Sequence, residues 1–393
     1  MKSLRWAPAV LALTAITAAA ALLAGCKGFW DPLPSSGGGT ASGVFYVLNF
    51  GKGQVAGFAF ASGSTSPAAV TGSPVTPQAA PLAMAISPNG NFLYVSTSGG
   101  IFAYSIASTG ALTLLNNTQA IDADLLTTMA VDSSGTWLVG AISGGSLAYA
   151  IPISSSTGLV DSTRTEQTAN LPATTVQQVA MSPSGATNSY VFFAMGTAGT
   201  TVIPFTSGNA APIGGTSTSY KVKNASGSDA TLAVDPTNPL LYVGETVALT
   251  GTQTGGLRVY NIGANSSLTE VSGSPYATGG TGPSAILANG KFVYVANRAV
   301  KNSSNGIGNI TGYPVVSSGG TYSLGTLVNT IAAGITTAGL AEDNTSTYIL
   351  AVNSGGSPDL STYTFDTTGK LTAGATAATG SDPVQATAVA AVP

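Results

Sequence analysis

The sequence predicts an all-β protein, a seven-bladed β-propeller of four-stranded blades that is closed by pairing of its N- and C-terminal strands. Three observations lead to this fold class: a strand–turn–strand pattern occurs seven times, its spacing averages about 51 residues, and an unmatched strand stands at each end. The spacing is slightly longer than the roughly 40–50 residues typical of propeller blades. Because one blade cannot bury both faces of its sheet, the repeat favours a ring.

The first element of each repeat is a short apolar strand that ends in a tight turn. Met84-Ala85-Ile86 is followed by Ser87-Pro88-Asn89-Gly90, and Leu232-Ala233-Val234 is followed by Asp235-Pro236-Thr237-Asn238. Ser or Asp at the first position and Gly or Asn at the last are typical of type I turns between paired strands. The small central Ala is expected where strands converge on a central axis. The turn aspartates are predicted to cap these turns.

The second element is a strand of aromatic and branched residues. It occurs seven times, as Phe45-Tyr46-Val47, Leu93-Tyr94-Val95, Trp137-Leu138-Val139, Phe192-Phe193-Ala194, Leu241-Tyr242-Val243, Val293-Tyr294-Val295 and Tyr348-Ile349-Leu350. The recurring tyrosines are expected to pack between the sheets. A third strand begins with Gly and places an aromatic residue five positions later, as from Gly53 to Phe58 and from Gly99 to Tyr104.

The two ends of the repeat region complement each other. The chain enters at a second-type strand, Phe45-Tyr46-Val47, and ends with residues 384–389, which look like a first-type strand with no blade after it. We therefore expect the ends to share one blade. Such pairing removes the open sheet edges that would otherwise invite aggregation.

The N-terminal region has the features of an export signal. Lys2 and Arg5 precede an apolar stretch from Ala9 to Leu23, which is shorter than the ~20 residues of a membrane-spanning helix. We interpret residues 1–25 as a signal peptide.

A lipid anchor is predicted directly after this signal. Leu23-Ala24-Gly25-Cys26 resembles the lipobox of bacterial lipoproteins, and Cys26 is the only cysteine in 393 residues. The resemblance implies that Cys26 is lipidated and holds the protein to a membrane of the bacterial cell envelope, on a periplasmic or surface face. Residues 26–43 are rich in Pro, Ser and Gly, which predicts a flexible tether, and the propeller is expected over residues 44–393.

The composition narrows the chemistry that the protein can perform. Charged residues make up only 7% of the chain, with 12 basic against 15 acidic residues, so nucleic-acid binding is not expected. The absence of histidine and of a second cysteine excludes Ser-His-Asp and Cys-His catalysis and ordinary zinc sites. No cofactor and no metal are expected. Asp122 and Asp124 are the nearest calcium candidate, but we interpret this pair as part of a solvated loop.

Several motifs of the repeat resemble those of a known family. They are Phe92–Val95, Gly100–Ile106, Thr109–Thr113, Lys291–Asn297 and Thr368–Thr372. They resemble the seven-bladed lactonase-like propellers, which include bacterial 6-phosphogluconolactonase, and the related YVTN-repeat propellers of bacterial surface proteins. The resemblance covers residues 44–393 and implies the fold more strongly than the reaction.

The resemblance also implies a position for a catalytic site. Lactonases of this family carry Pro-Arg-His before one inner strand and Asn-Glu after the next strand. Here the matching stretches are Asp229–Pro236 and Leu241–Glu245, so the Glu is kept while the Arg and His are absent. Opening a lactone needs a base for water and a donor for the oxyanion, and Glu245 is the remaining candidate base.

Polar residues at equivalent places in two neighbouring blades are the candidate ligand-binding residues. Glu245 and the pair Asn297-Arg298 follow second strands, and Lys301 follows shortly after. We expect Glu245 and Arg298 to face each other across one rim. Two interpretations remain open, a surface ion pair worth about 0–1 kcal/mol and a polar notch that binds a ligand with carboxylate or hydroxyl groups.

These observations favour a monomeric, lipid-anchored propeller that acts as a non-catalytic binding or interaction module, with an envelope protein or a glycan as partner. The loss of the family Arg and His makes an enzyme the less favoured expectation. The alternative is a lactonase-type hydrolase that opens a sugar lactone with Glu245 as base. A third possibility is a scaffold component, since a propeller offers a broad face of loops.

Overall fold

The structure, a computed structural model, is a ring of seven antiparallel sheets. It describes residues 42–61, 64–249, 255–300, 306–377 and 384–393. Cys26 and Lys301 lie outside the described residues, as does almost all of the predicted signal and tether. Among the described residues, no helix is long and apolar enough to cross a membrane.

Each blade is a meander whose strands run from the central axis outward. Blade 1 contains β1 (Ser42–Asn49), β2 (Gln54–Phe60) and β3 (Pro67–Ala69). Blade 2 contains β4 (Pro81–Ile86), β5 (Phe92–Thr97), β6 (Gly100–Ile106) and β7 (Leu112–Leu114). Blade 3 contains β8 (Thr128–Val131), β9 (Trp137–Ala141), β10 (Leu147–Pro152) and β11 (Gln167–Asn170). Blade 4 contains β12 (Gln178–Met181), β13 (Tyr190–Ala194), β14 (Thr200–Pro204) and β15 (Thr218–Tyr220).

Blades 5 and 6 each carry one additional strand, whereas blade 7 has four. Blade 5 contains β16 (Asp229–Val234), β17 (Leu240–Glu245), β18 (Gly256–Ile262), β19 (Leu268–Glu270) and β20 (Tyr276–Ala277). Blade 6 contains β21 (Gly280–Ala288), β22 (Phe292–Val300), β23 (Ile307–Ser318), β24 (Thr321–Leu324) and β25 (Asn329–Ile335). Blade 7 contains β26 (Thr337–Glu342), β27 (Tyr348–Asn353), β28 (Leu360–Phe365) and β29 (Leu371–Ala377). The last strand, β30 (Ala386–Ala391), belongs to blade 1.

Blade 1 closes the ring, as the sequence predicts. β30 pairs antiparallel with β1, with Val47 opposite Val389 and Leu48 opposite Ala388. β30 is thus the inner strand of blade 1, and the first described strand begins at Ser42, two residues before the predicted boundary. The predicted all-β, seven-bladed fold with a shared blade is confirmed.

The predicted tyrosines lie between the blades. Tyr46, Tyr94, Tyr242 and Tyr294 are all fully buried. Tyr46 of blade 1 donates to the Gly110 carbonyl of blade 2 at 2.7 Å, and Tyr294 of blade 6 donates to the Gly369 carbonyl of blade 7 at 3.0 Å. Tyr46 and Tyr294 therefore add both apolar contact and a cross-blade hydrogen bond. Tyr242 donates instead to Asp235 of its own blade, and the Tyr94 hydroxyl has no partner among the described residues, so these two rings contribute packing between the sheets.

The ring has two rims with different roles. At the turn rim each inner strand turns into the second strand, and at the mouth rim the inner strands begin and the second strands end. The aspartates predicted to cap the turns do so: Asp132 Oδ1 accepts from the amides of Thr136 and Trp137, both at 2.7 Å. Asp343 makes the same pair of bonds in blade 7. Because these carboxylates are buried, their bonds replace those lost with water.

Candidate functional site

A cavity of about 400 Å³ opens at the central axis on the side of the mouth rim. Its wall consists of the first residues of the inner strands of all seven blades, together with Arg298 from β22. Its polar lining side chains are Thr127, Thr128, Gln177, Gln178, Ser284, Thr387 and Arg298. Clefts lined by a few convergent polar groups are the usual ligand-binding places of such folds.

Backbone irregularities aim residues into this cavity. Inner strands of five blades change register on the side of the mouth rim, between Pro81 and Ala83, Asp229 and Thr231, Pro283 and Ala285, Thr337 and Gly339, and Ala386 and Ala388. The skipped residues, Leu82, Ala230, Ser284, Ala338 and Thr387, all line the cavity. A bulge re-aims one side chain and is common beside functional sites.

Hydrogen bonds between blades hold parts of the wall in place. Gln178 Oε1 accepts from the Thr231 hydroxyl at 2.6 Å and from the Leu232 amide at 2.9 Å. Ser284 donates to the Thr337 carbonyl at 2.6 Å. These bonds link blades 4 to 5 and 6 to 7, so the cavity is lined by a preorganised set of polar groups.

Arg298 is the only charged residue that lines the cavity within the described part of the chain. Its side chain is exposed, and it forms no ion pair with a described carboxylate. Its methylene groups run beside Gly282, where an added methyl group would lie 3.6–3.8 Å from them. The guanidinium is therefore available to a ligand.

Glu245 does not face Arg298, which corrects the sequence-based expectation. Glu245 is fully buried and pairs with Arg258 of its own blade, with 3.1 Å between Arg258 Nη1 and Glu245 Oε2. Its carboxylate also accepts from the backbone amides of Lys223 at 2.9 Å and Asn224 at 3.1 Å. A side chain at Gly227 would collide with Glu245 Oε1. Glu245 thus holds residues 223–227, which lead into the cavity wall at Ala230.

Arg258 is the partner that the sequence analysis missed. It lies opposite Val243 in β18, where the corresponding residues are Phe102 opposite Val95 in blade 2 and Thr311 opposite Val295 in blade 6. The sequence does contain a signal for this partner, because Arg258 is charged whereas the corresponding residues of these other blades are not. A buried arginine requires a buried anion, and Glu245 supplies it.

Asn297 is a structural neighbour of the cavity. Its side chain is fully buried, and its Nδ2 donates to the Thr278 carbonyl and to Asn309 Oδ1, both at 2.8 Å. These bonds fix β22 against β23 directly before Arg298. Of the three predicted ligand-binding residues that the structure describes, only Arg298 therefore lines the cavity.

Asp229 is a second buried acid at the mouth rim. It is 1% exposed, and its Oδ2 accepts from the Thr200 hydroxyl at 2.7 Å. Burial is the main cause that raises the pKa of Asp229 to about 7, and the negative charge of Glu245 acts in the same direction. The Thr200 hydrogen bond and the positive charge of Arg258 act against this rise. The side chain points between blades 4 and 5 rather than forming part of the cavity lining.

An acidic cluster lies between blades 2 and 3. Asp122 and Asp124 are joined by Glu166, and the three carboxylates offer oxygens within 4.8 Å of one another. Burial, followed by the negative charges of Asp124 and Asp122, raises the pKa of Glu166 to about 7. The sequence analysis named the two aspartates but not Glu166, which comes from another blade. None of the three lines the central cavity.

A family model described as lactonase, 7-bladed beta-propeller, matches residues 51–388, which is most of the chain. The chain belongs to this lactonase family. No curated protein matches the chain by sequence. The predicted resemblance to lactonase-like propellers is therefore confirmed.

Solved structures share the fold of this lactonase-family propeller. A proposed 6-phosphogluconolactonase from Bacteroides uniformis has a TM-score of 0.66 at 16% identity, over 90% of this chain and 99% of that one. A similarly described Bacteroides fragilis protein has a TM-score of 0.64 at 16% identity, over 92% and 99%. The periplasmic gluconolactonase of Pseudomonas aeruginosa has a TM-score of 0.61 at 17% identity, over 89% and 99%.

Family membership corrects one functional prediction. The sequence analysis favoured a non-catalytic binding module because the family Arg and His are absent, and this prediction is wrong in the light of the family match. The match supports the alternative, a lactonase-type propeller. The prediction gave more weight to the absence of two side chains than to a family repeat pattern that extends over residues 44–393.

Proposed function

We propose that this protein is a lactonase-type hydrolase that opens a sugar lactone at the mouth of its central channel. The observation that carries the proposal is the lactonase family match over residues 51–388. A polar cavity at the axis of the ring supports it. The gluconolactonase and proposed 6-phosphogluconolactonases that share the fold suggest a hexonolactone as substrate.

The cavity lining suits a polyhydroxylated ring. Amide and hydroxyl groups such as those of Gln177, Thr127 and Ser284 exchange hydrogen bonds with sugar hydroxyls, and their positions around the axis orient the ring. In the reaction, water attacks the lactone carbonyl carbon, the bond to the ring oxygen breaks, and that oxygen takes up a proton. The product is a hydroxy acid.

Glu245 has a positioning role in this proposal. Its two oxygens are occupied by Arg258 and two backbone amides, so in this structure the carboxylate does not reach the cavity. By holding residues 223–227 it fixes the segment that enters the wall at Ala230. Replacing Glu245 by Gln is therefore expected to raise KM more than it lowers kcat. If Glu245 were the catalytic base, the same substitution would lower kcat and leave KM unchanged.

Turnover of glucono-δ-lactone, corrected for spontaneous hydrolysis and followed by acid release, tests the proposed function. We expect turnover by the purified protein and its loss in Ala230→Trp, because the indole would fill the cavity. Ala107→Trp is the matched control, since Ala107 is exposed on a hairpin far from the cavity. The absence of turnover with a panel of sugar lactones would overturn the proposal.

We also propose that the protein is exported and anchored to the cell envelope through a lipidated Cys26. The support is the sequence alone, an apolar stretch between Lys2, Arg5 and the single cysteine. Two acyl chains or more are needed for stable anchoring. Incorporation of labelled palmitate should be lost in Cys26→Ser, and equal labelling of both forms would refute the anchor.

A further inference from the structure

Most neutral hydrogen-bond donors in the wall of the central cavity already donate to the protein itself. They are the hydroxyls of Thr127, Ser284 and Thr387 and the side-chain amide of Gln177, and each donates to a backbone carbonyl. These groups keep their oxygens as acceptors for a ligand. A carbonyl oxygen of a ligand, which only accepts hydrogen bonds, therefore has few partners in this wall.

Gln178, the first residue of β12, is the amide whose donors remain unused. Its Oε1 accepts from the Thr231 hydroxyl at 2.6 Å and from the Leu232 amide at 2.9 Å. Because a backbone amide only donates, the atom that faces Leu232 must be the oxygen, and this fixes which end of the side chain is Nε2. No described residue accepts from Nε2, which is not a buried atom. Its two N–H groups therefore serve the cavity that Gln178 lines.

Two other residues of the wall keep a donor, but neither is held as firmly. Thr128 Oγ1 accepts from the Val179 amide at 2.9 Å, and its hydroxyl hydrogen still rotates about the bond from carbon to oxygen. The side chain of Arg298 is exposed and carries several rotatable bonds. Donors that stabilise a developing charge act best when they need no reorganisation, and the two bonds to Oε1 give this property to Gln178.

We propose that Gln178 is a catalytic residue whose Nε2 donates to the carbonyl oxygen of the lactone and stabilises the negative charge that develops there. The reaction itself rests on the proposed function. When water adds to the carbonyl carbon, the electron pair of the C=O bond moves to this oxygen. The pair returns as the bond to the ring oxygen breaks, and the proton that the water gives up ends on the ring oxygen. Gln178 supplies a hydrogen bond throughout and exchanges no proton.

A binding experiment tests the contact without any reaction. Calorimetric titration compares gluconolactam, a stable ring that carries the carbonyl group, with 1,5-anhydroglucitol, a ring of the same size that has none. We expect the unaltered protein to bind the lactam about fivefold more tightly, which is the contribution of one neutral hydrogen bond. Equal binding of the two rings would overturn the inference.

Two variants of Gln178 and one control assign this preference to the amide. Gln178→Glu removes the donors and keeps an oxygen for Thr231 and Leu232, and Gln178→Leu removes the donors without adding a charge. Both should reduce the preference for the lactam to within about twofold. Gln119→Glu makes the same exchange at an exposed residue that does not line the cavity and should keep the full preference. A preference that is kept by Gln178→Leu, or lost only in Gln178→Glu, would overturn the inference.

Kinetics with glucono-δ-lactone extend the test and keep the two proposals separable. Both Gln178 variants should lower kcat by about 100-fold and change KM less than about threefold, because the bond is strongest when the oxygen is charged. If no lactone is turned over while the Gln178 variants lose the lactam preference, the proposed function fails and the carbonyl contact stands. If lactones are turned over and the Gln178 variants keep kcat, the inference fails and the proposed function stands.

Discussion

Strands end at both rims of the ring, but the side chains that form hydrogen bonds at these ends differ between the two rims. At the turn rim, buried Asp132, Asp235 and Asp343 cap their turns with the same kind of amide bonds. At the mouth rim, the equivalent positions of blades 5 and 6 hold Glu245 and Asn297, which belong to unrelated networks. The turn rim repeats one scaffold solution. The mouth rim varies more, since its equivalent position holds buried Asn49, Asn297 and Asn353 in blades 1, 6 and 7 but Glu245 in blade 5.

This difference shows where the chain is free to specialise. A turn between two paired strands leaves the same amides unpaired in blades 2 to 7, and one Asp, Ser or Asn side chain accepts from them in each. The mouth rim contains bulges, longer connections and the cavity, and its polar groups face neighbours that differ from blade to blade. Loops and strand ends on a rigid scaffold are the usual carriers of function.

The largest effect is expected from breaking the buried pair of the mouth rim. Glu245→Ala would remove the closer carboxylate partner of Arg258, whose side chain is only 7% exposed, and leave this buried charge with the partly exposed Glu270 at 3.7 Å. We expect the free energy of unfolding to fall by about 4 kcal/mol, measured by urea denaturation. The double variant Glu245→Ala with Arg258→Leu should recover part of the loss. A loss below about 1 kcal/mol would show that the pair contributes little.

The second prediction concerns the pH dependence of stability that Asp229 causes at the mouth rim. Because burial raises the pKa of Asp229 to about 7 from 3.8, the folded state keeps a proton that the unfolded chain releases. Stability is therefore full below about pH 4 and falls as the pH rises towards 7. We expect a loss of about 2 kcal/mol between pH 5 and pH 7. Asp229→Asn should remove most of this slope in urea titrations, the remainder coming from the partly exposed Glu166, whose pKa is also raised to about 7. An unchanged slope would contradict the assignment to Asp229.

The third prediction tests the turn rim. Asp235→Ala removes the acceptor for the amides of Thr237 and Asn238 and for the Tyr242 hydroxyl. Leaving the buried Tyr242 hydroxyl and the two partly buried amides without this acceptor should cost about 2 kcal/mol of unfolding free energy. Asp366→Ala, which removes similar bonds in an exposed turn, is the control and should cost clearly less. Equal losses would show that burial does not matter at these caps.

The smallest effect on stability is expected at the cavity itself. Arg298→Ala removes an exposed side chain without an ion pair to a described carboxylate, so unfolding free energy should change by less than about 0.5 kcal/mol. A large loss of stability would place Arg298 with the structural residues of the mouth rim.

The scaffold could be predicted from the sequence because its signals repeat. The strands that contain Tyr46 and Tyr294 and the caps at Asp132 and Asp343 follow from local patterns with several copies along the chain. The pairing of the two ends follows from the order of these repeated elements, because one strand at each end has no partner of its own. The seven-bladed fold and its closure could therefore be predicted from the sequence alone.

The site could be predicted only in part because its signals occur once. The positions of Glu245 and Arg298 at the end of second strands placed both at the mouth rim correctly. Their partners depend on contacts between distant strands: Arg258 lies across the sheet from Val243, and Glu166 joins Asp124 from another blade. The bulge at Ala230 is likewise invisible in a single sequence. Such contacts require the folded ring.

The shared blade also sets the order of events during folding. Thr387 and Leu48 touch in the finished ring although 339 residues separate them along the chain. Contacts of such long range carry a high loop-closure entropy and form slowly. The inner strand of blade 1, β30, is synthesised after all other strands. A nascent chain can therefore complete at most six blades before β30 is available, and the ring closes in one late step.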